Sequence, residues 1–404
     1  MKHESQTQDD AAEAQNFSRR NLLRLVGGGA GLLAVAGSGA LTWRAADNGV
    51  FAEGSGPAYE PWNLPAPTGR ADLVRAAILA ANAHNTQPWI FRVEDSYIDL
   101  FADSGRTIGT IDPLLREQQI SLGCALENLM IAAPALGLQA IAELVPDSAD
   151  PGHIAHIELR ESSAAASPLL KAIPVRHTDR AAYRTDQAVP RQTLDRYRRA
   201  AEDDAVSLVW LSEPEVRQAF GDITVRATEA IIADPDQAAD DYRWYRSDWN
   251  DIQTLRDGVT IDASGQSAFI RGAAKILPTT QQQNHDGWLR GTRDTQVSTA
   301  AAFGAIMVAD GHDVAARLSA GRTFQRLHLM ATGDGLAMQP LCQVLERVDR
   351  EESAGLDDVF NRELADLLPG AGKAIMTFRI GYPTVAAPPS PRRAVEEVLL
   401  TAAP

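Results

Sequence analysis

Alternating apolar and polar positions predict β-strands in both halves of the chain, and apolar residues at helical spacing predict the helices between them. The predicted strands are residues 89–93, 97–101, 153–159, 207–211, 302–309 and 374–380. The predicted helices are residues 71–81, 118–138, 168–173, 190–202, 213–232 and 313–336. The first two strands form a hairpin around the polar residues 94–96. This mixture of elements favours an α+β fold.

The two long helices are similar to each other at one fixed offset. Placing residues 121–138 over 319–336 pairs identical residues: Ser121 with Ser319, Gly123 with Gly321, Leu129 with Leu327, Ala133 with Ala331, Gly137 with Gly335, and Leu138 with Leu336. Glycine near the C-terminus of both helices is typical of a left-handed helix cap. Chance similarity between two amphipathic helices is the alternative to duplication. Duplication predicts two pseudo-symmetric halves that imitate a two-fold dimer, with the interface between them.

The chain divides into four stretches by composition. Residues 1–46 are predicted to be an export signal or anchor, and residues 47–68, rich in proline, a linker. Residues 69–165 and 166–398 are the two predicted halves. Within the second half, residues 234–299 place aromatic side chains among Arg, Asp and Gln without sustained periodicity. Such a long segment is usually a binding insertion, so it is predicted to be a lid; a peripheral loop anchored by its tryptophans is the alternative.

Composition narrows the classes of partner. The chain has 404 residues, of which 45% are hydrophobic and 23% charged, as is ordinary for a globular protein. Its net charge of −15 disfavours nucleic acid or an anionic membrane surface as the main partner. Cys124 and Cys342 have apolar neighbours and no metal-ligand spacing, which favours buried thiols, and the histidines are too scattered for a metal site. Hydrolase and nucleotide-triphosphate motifs are absent from the sequence.

The N-terminal stretch resembles a twin-arginine export signal. Ser18-Arg19-Arg20-Asn21-Leu22-Leu23 supplies the arginine pair, and an apolar run rich in Gly and Ala follows to residue 41. A chance pair of arginines before a membrane helix is the alternative. Glycines in residues 27–31 weaken that alternative, because they lower the hydrophobicity that stable spanning requires. The resemblance implies export to the periplasm or cell envelope, with membrane contact only through the signal if it is not cleaved.

Two short segments concentrate side chains that could bind a ligand. A turn between a predicted helix and strand carries four of them: His84, Asn85, Thr86 and Gln87. A capped helix end with Trp89 as a core anchor is the alternative interpretation of that turn. The segment 176–180 carries Arg176, His177, Thr178 and Arg180. Arginine forks suit a phosphate group bidentately, although a solvated surface loop would have the same composition.

These segments resemble the nitroreductase family. The turn matches the pattern A-x-N-x-Q-P-W, which in that family reaches across the dimer interface to FMN. The second segment matches an R-x-S/T-x-R pattern that grips the FMN phosphate and ribityl chain. A basic residue near the C-terminus also contacts the phosphate in the family, and either Arg392 or Arg393 fills that place. Pro340 and Leu341 fall where a backbone amide lies against flavin N5, although the usual P-x-x-G pattern is missing.

The resemblance spans residues 68–398 and best suits the Acg branch, in which one chain carries both halves and a lid covers the flavin. It implies a nitroreductase-like α+β fold with mixed β-sheets flanked by helices. It also implies FMN as cofactor, NAD(P)H as electron donor, and a nitroaromatic, quinone or similar small molecule as acceptor. No catalytic side chain is implied, because the cofactor carries the chemistry. An FMN-storage protein without turnover is the alternative. Four lid aromatics are predicted to face the flavin: Trp244, Tyr245, Trp249 and Trp288.

Overall fold

The computed structural model describes residues 44–400 apart from 204, 278, 369 and 371, so the predicted signal lies outside the described residues except for its last three positions. The strands are β1 Trp89–Val93, β2 Tyr97–Ala102, β3 Leu138–Leu144, β4 His153–Glu161, β5 Ser207–Leu211, β6 Tyr245–Arg246, β7 Val259–Thr260, β8 Ala302–Val308, β9 Ala337–Pro340 and β10 Lys373–Gly381. The α-helices are α1 Arg70–Ala77, α2 Arg116–Ala132, α3 Arg191–Ala201, α4 Pro214–Ala233, α5 Pro235–Tyr242, α6 Trp249–Leu255, α7 Ala268–Ile276, α8 Gln281–Gly291, α9 Val314–Gly333, α10 Gln343–Ala354 and α11 Phe360–Leu367.

Two four-stranded sheets have the same topology. Their strand orders are β1-β2-β4-β3 and β5-β8-β10-β9, and all pairings within them are antiparallel. Numbered in chain order, both sheets run first-second-fourth-third. Each long helix also occupies the same place, since α2 joins the second and third strands of the first sheet and α9 those of the second. This repetition confirms the predicted α+β fold with two pseudo-symmetric halves.

The predicted mixed sheets require parallel pairing. In the described part of the two four-stranded sheets, parallel pairing occurs only at the β1 edge of the first sheet. The Phe91 N–H of β1 donates to the Val398 carbonyl at 2.8 Å, and the Leu400 N–H donates to the Phe91 carbonyl at 2.8 Å. These bonds form a parallel bridge between the C-terminal segment and β1. The segment thereby satisfies backbone groups of what would otherwise be an edge strand.

The helices α2 and α9 pack against each other at two glycines. A Cβ on Gly123 would lie 2.1 Å from the Leu318 carbonyl oxygen, and a Cβ on Gly321 would lie 2.1 Å from that of Ile120. Ile120 and Leu318 are separated by the same number of residues as Gly123 and Gly321, so the contact is reciprocal. The predicted interface between long helices is therefore present, and its geometry imitates a two-fold axis.

The predicted glycine caps are also present. Gly137 has a φ of 69° and Gly335 a φ of 73°, both in the left-handed region that glycine adopts at low cost. The segment Arg116–Leu136, which is α2 with the turn after it, is long and apolar enough to cross a membrane by length and composition alone. Of its most apolar window, 72% is buried in the protein, and buried core helices pass the same test.

The segment predicted to be a linker is instead packed onto the molecule. Its prolines form a 3-10 turn, Pro57–Trp62, in which Ala58 and Trp62 are buried. The Trp62 indole N–H donates to the Ser390 carbonyl at 2.7 Å, and the Arg392 N–H donates to the Ala58 carbonyl at 2.7 Å. Partners more than 300 residues away in sequence hold this segment, so its local composition gave no sign of them.

The insertion interrupts the second half between β5 and β8, after α4. It contains the helices α5 to α8 and the parallel pair β6–β7. The prediction that it lacks regular elements is therefore wrong. Each of these elements has 11 residues or fewer, which is too short for a sustained periodic pattern.

Candidate functional site

A cavity of about 300 Å³ lies between the two halves, and the insertion forms its third wall. The first half contributes Asn82 and His84 together with one face of α2. The second half contributes Thr178, Arg180 and the connection between β9 and α10. The insertion contributes several side chains from α8 and from the segments before it. Clefts of this size between structural units are typical of small-molecule sites.

A second cavity of about 20 Å³ adjoins the first. The two share the lining residues Ala81, Asn82, Thr178, Arg180 and Val259. The remaining walls of the smaller cavity are rich in cationic and polar side chains, among them Asn85, Arg176, His177 and Arg392. The combined space therefore has a wide, mainly apolar part and a narrow, basic end.

The turn before β1 adopts a strained backbone. His84, Asn85 and Gln87 have φ values of 46°, 55° and 53°, in the left-handed region that non-glycine residues seldom occupy. The Asn82 side chain holds the turn by accepting a hydrogen bond from the Gln87 N–H at 2.8 Å. As a result, His84 faces the larger cavity and Asn85 the smaller one.

Thr86 and Gln87 of this turn, which the sequence predicts to contact a ligand, bond within the protein instead. The Thr86 hydroxyl donates to the Ala83 carbonyl at 3.0 Å, within the turn itself. The buried Gln87 amide donates to the Arg256 carbonyl at 2.8 Å and accepts from the Arg393 N–H at 2.8 Å. Neither side chain lines either cavity. Thr86 and Gln87 therefore support the turn, and their predicted contact with a ligand stays a prediction.

Three guanidinium groups meet at the basic end. Arg176 is 1% exposed and Arg392 is 3% exposed, while Arg180 is less buried because it faces the open cavity. Within the described residues, none of the three pairs with a carboxylate; Arg176 and Arg180 donate to the carbonyls of Leu79 and Ala263. Burial lowers the pKa of Arg176 and of Arg180 to about 10. Buried cations without an anion are costly, so this end suits a bound anion.

The Nε atoms of Arg176 and Arg392 have no hydrogen-bond partner in the described structure. Trp62 lies beside both groups, with its ring centroid 4.8 Å from the guanidinium carbon of Arg392 and 5.9 Å from that of Arg176. The His177 ring packs edge-on against Trp62 at 4.5 Å. Burial and then the two arginines lower the pKa of His177 to about 3, so this imidazole is neutral at pH 7. Sequence reasoning missed Trp62 because it fell in the predicted linker.

The structure distinguishes the two C-terminal arginines. Arg392 lines the basic cavity and also donates to the side-chain oxygen of Asn85. The guanidinium of Arg393 instead donates to the carbonyls of Gln87 at 3.4 Å and Glu397 at 2.5 Å, and it lines neither cavity. Of the two arginines, Arg392 is therefore the one that faces the basic cavity.

The connection between β9 and α10 forms another wall of the larger cavity. Pro340 and Cys342 line it. Leu341 does not, because its side chain is buried in the core while its N–H donates to the Thr377 carbonyl at 2.9 Å. Gln343 also lines the cavity, and its side-chain oxygen is buried and has no hydrogen-bond partner in the described residues. A ligand that donates a hydrogen bond would satisfy it.

Carboxyl groups that sequence reasoning missed also line the larger cavity: Glu117, Asp241 and Glu346. Burial and then the charge of Glu117 raise the pKa of Glu346 well above the usual range, which favours its protonated form. No side-chain hydrogen bond holds Glu346 within the described residues, so its carboxyl group is available to a ligand. For Glu117, the detectable signal was its place on one face of α2 together with Ser121 and Cys124.

An ion pair joins the insertion to the turn. Asp241 of α5 accepts a hydrogen bond from His84 Nε2 at 3.0 Å, and His285 Nε2 lies 3.5 Å from its other oxygen. Burial lowers the pKa of His84, but the hydrogen bond and charge of Asp241 outweigh burial and raise it above 6.5. The contact therefore favours a protonated His84 and a docked insertion.

The four predicted lid aromatics divide into two pairs. Tyr245 and Trp288 line the larger cavity. Trp244 does not, because it packs with isoleucines and donates from its indole N–H to the Thr107 carbonyl at 3.2 Å. Trp249 packs over Gly49, where an added Cβ would lie 2.4 Å from its ring. Trp244 and Trp249 therefore anchor the insertion, as the alternative interpretation proposed.

The described residues can be compared with the requirements of a metal site and of a reactive thiol. No group of three or more His, Cys, Asp or Glu side chains there could hold a metal ion. Cys124 and Cys342 are free and buried, as predicted. Burial raises the pKa of Cys124 to about 12, so this thiol is unreactive at neutral pH.

No family model matches this chain. Over 355 residues it is 27% identical to a Mycobacterium tuberculosis H37Rv protein named "Putative NAD(P)H nitroreductase", covering 86% of this chain and 95% of that protein. A second protein of that organism, named "Putative NAD(P)H nitroreductase acg", is 35% identical over 85 residues, which is 21% of this chain and 26% of that protein. Along most of its length, this chain is thus similar to proteins named as NAD(P)H nitroreductases.

Solved nitroreductases are more distant. The FMN-dependent nitroreductase NfnB from Mycobacterium smegmatis, in complex with NADPH, is 16% identical with a TM-score of 0.35, covering 58% of this chain and 97% of that one. A nitroreductase with bound FMN from Desulfitobacterium hafniense is 13% identical with a TM-score of 0.35, covering 55% of this chain and 93% of that one.

Proposed function

We propose that this chain is an FMN-dependent oxidoreductase of the nitroreductase type, with one FMN bound between its halves. The observation that carries this proposal is the meeting of three guanidinium groups, without a carboxylate, at the narrow end of a mainly apolar cavity. FMN has a phosphate at one end and a flat, amphipathic ring at the other, so its two ends suit the two cavities. The full-length similarity to proteins named as NAD(P)H nitroreductases supports the same class.

The residues of the chain would bind and orient the cofactor rather than react. Arg176, Arg180 and Arg392 would hold the phosphate, and Thr178 lines both cavities, where the ribityl chain would pass. When bound, FMN would supply hydride transfer from NADH or NADPH to a nitroaromatic, quinone or similar acceptor. Glu346 lines the same cavity, and its raised pKa favours the protonated form, which would donate a hydrogen bond to a ligand there.

Purification tests this proposal directly. The full-length protein should be yellow, with one FMN released per chain on denaturation. Anaerobic stopped-flow mixing with NADH or NADPH should bleach the flavin absorbance. A colourless protein that also takes up no added FMN would refute flavin binding. Adding FMN controls for a cofactor that was simply not supplied during expression.

We propose further that the insertion is a lid. Tyr245 and Trp288 close one wall of the larger cavity, and the His84–Asp241 contact docks the segment. A lid that shields the ring would slow access of the nicotinamide, which favours the alternative function of FMN storage. The two functions differ in one measurement: a storage protein would keep its flavin oxidised in the presence of NADPH.

A variant that loosens the lid without touching the cavity would test its role. Asp240 of α5 accepts hydrogen bonds from the N–H and the hydroxyl of Thr110, both at 2.8 Å, and it lines neither cavity. Asp240→Ala should therefore speed flavin reduction by NADPH. Asp236→Ala, on the same helix but with an exposed carboxylate, is the matched control. Equal rates in wild type and both variants, with flavin retained, would contradict a gating role.

Export by the twin-arginine route is part of the proposal. The candidate site draws on both halves and the insertion, so a cofactor is best loaded onto a folded chain, and that route carries folded proteins. Lysine at both Arg19 and Arg20 should leave the protein in the cytoplasmic fraction. Unchanged distribution between the cell fractions would refute this route.

A further inference from the structure

One wall of the larger cavity consists of hydrogen-bond acceptors. Glu117 of α2 lines it with Gln343 and Glu346 of α10, and the three are buried, at 7%, 5% and 6% exposure. Within the described residues, the side-chain oxygen of Gln343 has no hydrogen-bond partner, and no hydrogen bond or ion pair holds the Glu346 carboxyl group. Buried polar groups are normally satisfied, so these oxygens mark a place where a ligand donates. Together, Glu117, Gln343 and Glu346 form an acceptor wall.

Contacts away from the cavity hold the acceptor wall in place. Asp112 accepts a hydrogen bond from the Glu117 N–H at 3.0 Å, which fixes the start of α2. Arg116 donates to an Asp349 carboxylate oxygen at 2.7 Å and so ties α2 to α10. Asp349 follows Glu346 by three residues, nearly one helical turn, so the tie is made next to the wall. The wall is therefore preorganised by bonds that do not involve a ligand.

Negative charge at the acceptor wall is only partly compensated. Arg116 donates to a Glu117 carboxylate oxygen at 3.3 Å, but the same guanidinium is also bonded to Asp349. Burial and then the charge of Glu117 raise the pKa of Glu346. This is the behaviour of two neighbouring carboxyl groups that share too little positive charge.

The other charged groups that line the larger cavity are engaged or lie elsewhere. Asp241 accepts a hydrogen bond from His84 at 3.0 Å. Arg180 also lines the basic cavity, and Arg290 is exposed on α8. A ligand that meets the acceptor wall therefore finds oxygen acceptors and negative charge, without a lining cation between them.

The chemistry of the acceptor wall selects its ligand. A flavin ring offers a single N–H between two carbonyl oxygens, so it would satisfy one acceptor and bring its own oxygens against the others. Within the described residues, no group of three or more His, Cys, Asp or Glu side chains could hold a metal ion. An organic cation with several N–H groups, such as an amidinium, can donate to two carboxyl groups and an amide oxygen at once.

We propose that the acceptor wall binds a cationic N–H group of the second ligand, so that the electron acceptor reduced in this cavity carries an amidinium or a similar organic cation. The cation would lie between Glu117 and Glu346 and offset the repulsion between them, while Gln343 accepts a further N–H. This substrate class rests on the proposed function. Binding of the cation does not, so the two can be tested apart.

Benzamidine probes the acceptor wall without redox chemistry. In calorimetric titration of the purified full-length protein, it should bind at least about tenfold more tightly than benzamide, its neutral counterpart. Glu346→Gln should raise the Kd for benzamidine about tenfold or more, and Gln343→Leu should raise it several-fold. Glu352→Gln is the matched control, because Glu352 is an exposed residue of the same helix and contacts His312 outside both cavities.

Two results would overturn the cation site. One is an equal Kd for benzamidine and benzamide; the other is a Kd for benzamidine that Glu346→Gln leaves unchanged. Weaker FMN binding in Glu346→Gln together with the second result would assign the acceptor wall to the flavin ring instead. Denaturant unfolding separates these losses from misfolding, and Glu346→Gln should be at least as stable as wild type, because it removes a buried ionisable group.

A nitro derivative connects the acceptor wall with the reaction. The overall step balances as NAD(P)H, one proton and a nitro group giving NAD(P)⁺, a nitroso group and water. The nitro group gains two electrons, one N–O bond breaks, and the oxygen leaves as water. In wild type, kcat/KM should be higher for 4-nitrobenzamidine than for 4-nitrobenzamide. Glu346→Gln should lower this ratio about tenfold and Glu352→Gln should not.

Comparing the ratio between variants cancels the different reactivities of the two nitro groups. An unchanged ratio in Glu346→Gln would refute the substrate class. Flavin that is bleached by NADPH in a protein that does not bind benzamidine would refute the cation site alone. Benzamidine binding that depends on Glu346, in a protein that takes up no FMN, would refute the redox proposal alone.

Discussion

The substitution Arg180→Met tests the basic end of the site with the least structural disturbance. Arg180 lines both cavities, and its one hydrogen bond, to the Ala263 carbonyl, is long at 3.3 Å. Arg176 and Arg392 by contrast hold carbonyls at the end of α1 as well, so their loss would mix binding with folding. Methionine keeps most of the side-chain length and removes the charge and the N–H donors.

The expected loss follows from one charge-assisted contact. A hydrogen bond to a charged group contributes about 1.5–3 kcal/mol, which corresponds to an increase of about 10- to 150-fold in the Kd for FMN. With free FMN at about 100 times the wild-type Kd, binding stabilises wild type by about 2.7 kcal/mol. If the Kd rises 100-fold, the same FMN concentration stabilises the variant by only about 0.4 kcal/mol.

The flavin-free protein should respond differently. Burial and then the nearby Arg379 lower the pKa of Arg180, so its charge is unfavourable when no anion is present. Removing that charge should leave the free energy of unfolding of the flavin-free protein unchanged or slightly higher. A variant that binds FMN less tightly without being less stable separates ligand binding from folding.

Two measurements check these expectations. Quenching of FMN fluorescence gives the Kd, and denaturant unfolding with and without FMN gives both stabilities. Arg184→Met is the matched control, because Arg184 is exposed and pairs with Asp186 outside the cavities. An unchanged Kd for FMN in Arg180→Met would refute the assignment of the basic cavity to the phosphate. A loss of stability without FMN would show that Arg180 serves the fold.

Two further predictions concern the interfaces that shape the cavity. Gly321→Ala should lower the free energy of unfolding by about 1–3 kcal/mol, because the added Cβ would collide with the Ile120 carbonyl. Gly333→Ala is the control on the same helix and should not lower it, because the added Cβ would lie in open space. Denaturant titration would measure both, and equal stabilities would refute the close contact. His84→Gln should cost about 1.5–3 kcal/mol below pH 6.5, where the raised pKa keeps His84 charged beside Asp241. That difference should disappear as the pH rises through the raised pKa, and a constant difference from pH 6 to pH 9 would contradict the ion pair.

Local patterns predicted most of the elements of both sheets. Clear periodicity marks the β1–β2 hairpin, the strand β5 and the long helices. Their ends in the structure differ from the predicted ends by only a few residues. β3 and β9 were missed, since only a 3-10 turn and Gly137 separate β3 from α2 and β9 has only four residues. The four-residue strand carries no pattern long enough to recognise.

The candidate site was predictable where a short motif carries it. Arg176, Thr178 and Arg180 lie close in sequence, and all three line the smaller cavity. Trp62 and Glu346 reach the site only through the tertiary fold, so nothing near them in sequence indicates a ligand. Side chains within one motif also divide into roles that sequence does not separate: in the turn before β1, His84 and Asn85 face the cavities, while Thr86 and Gln87 hold the backbone.

The reciprocal packing of α2 and α9 has a consequence for how this molecule can vary. In a homodimer, any substitution at the two-fold axis appears on both sides at once, but here each side has its own codon. The sides already differ: Glu127 pairs with Arg322 and Arg326, whereas its repeat counterpart Gln325 donates to Asn128. One face can therefore specialise while the other keeps the halves together. Because one polypeptide joins the halves, dilution cannot separate them, and the cavity persists at any protein concentration.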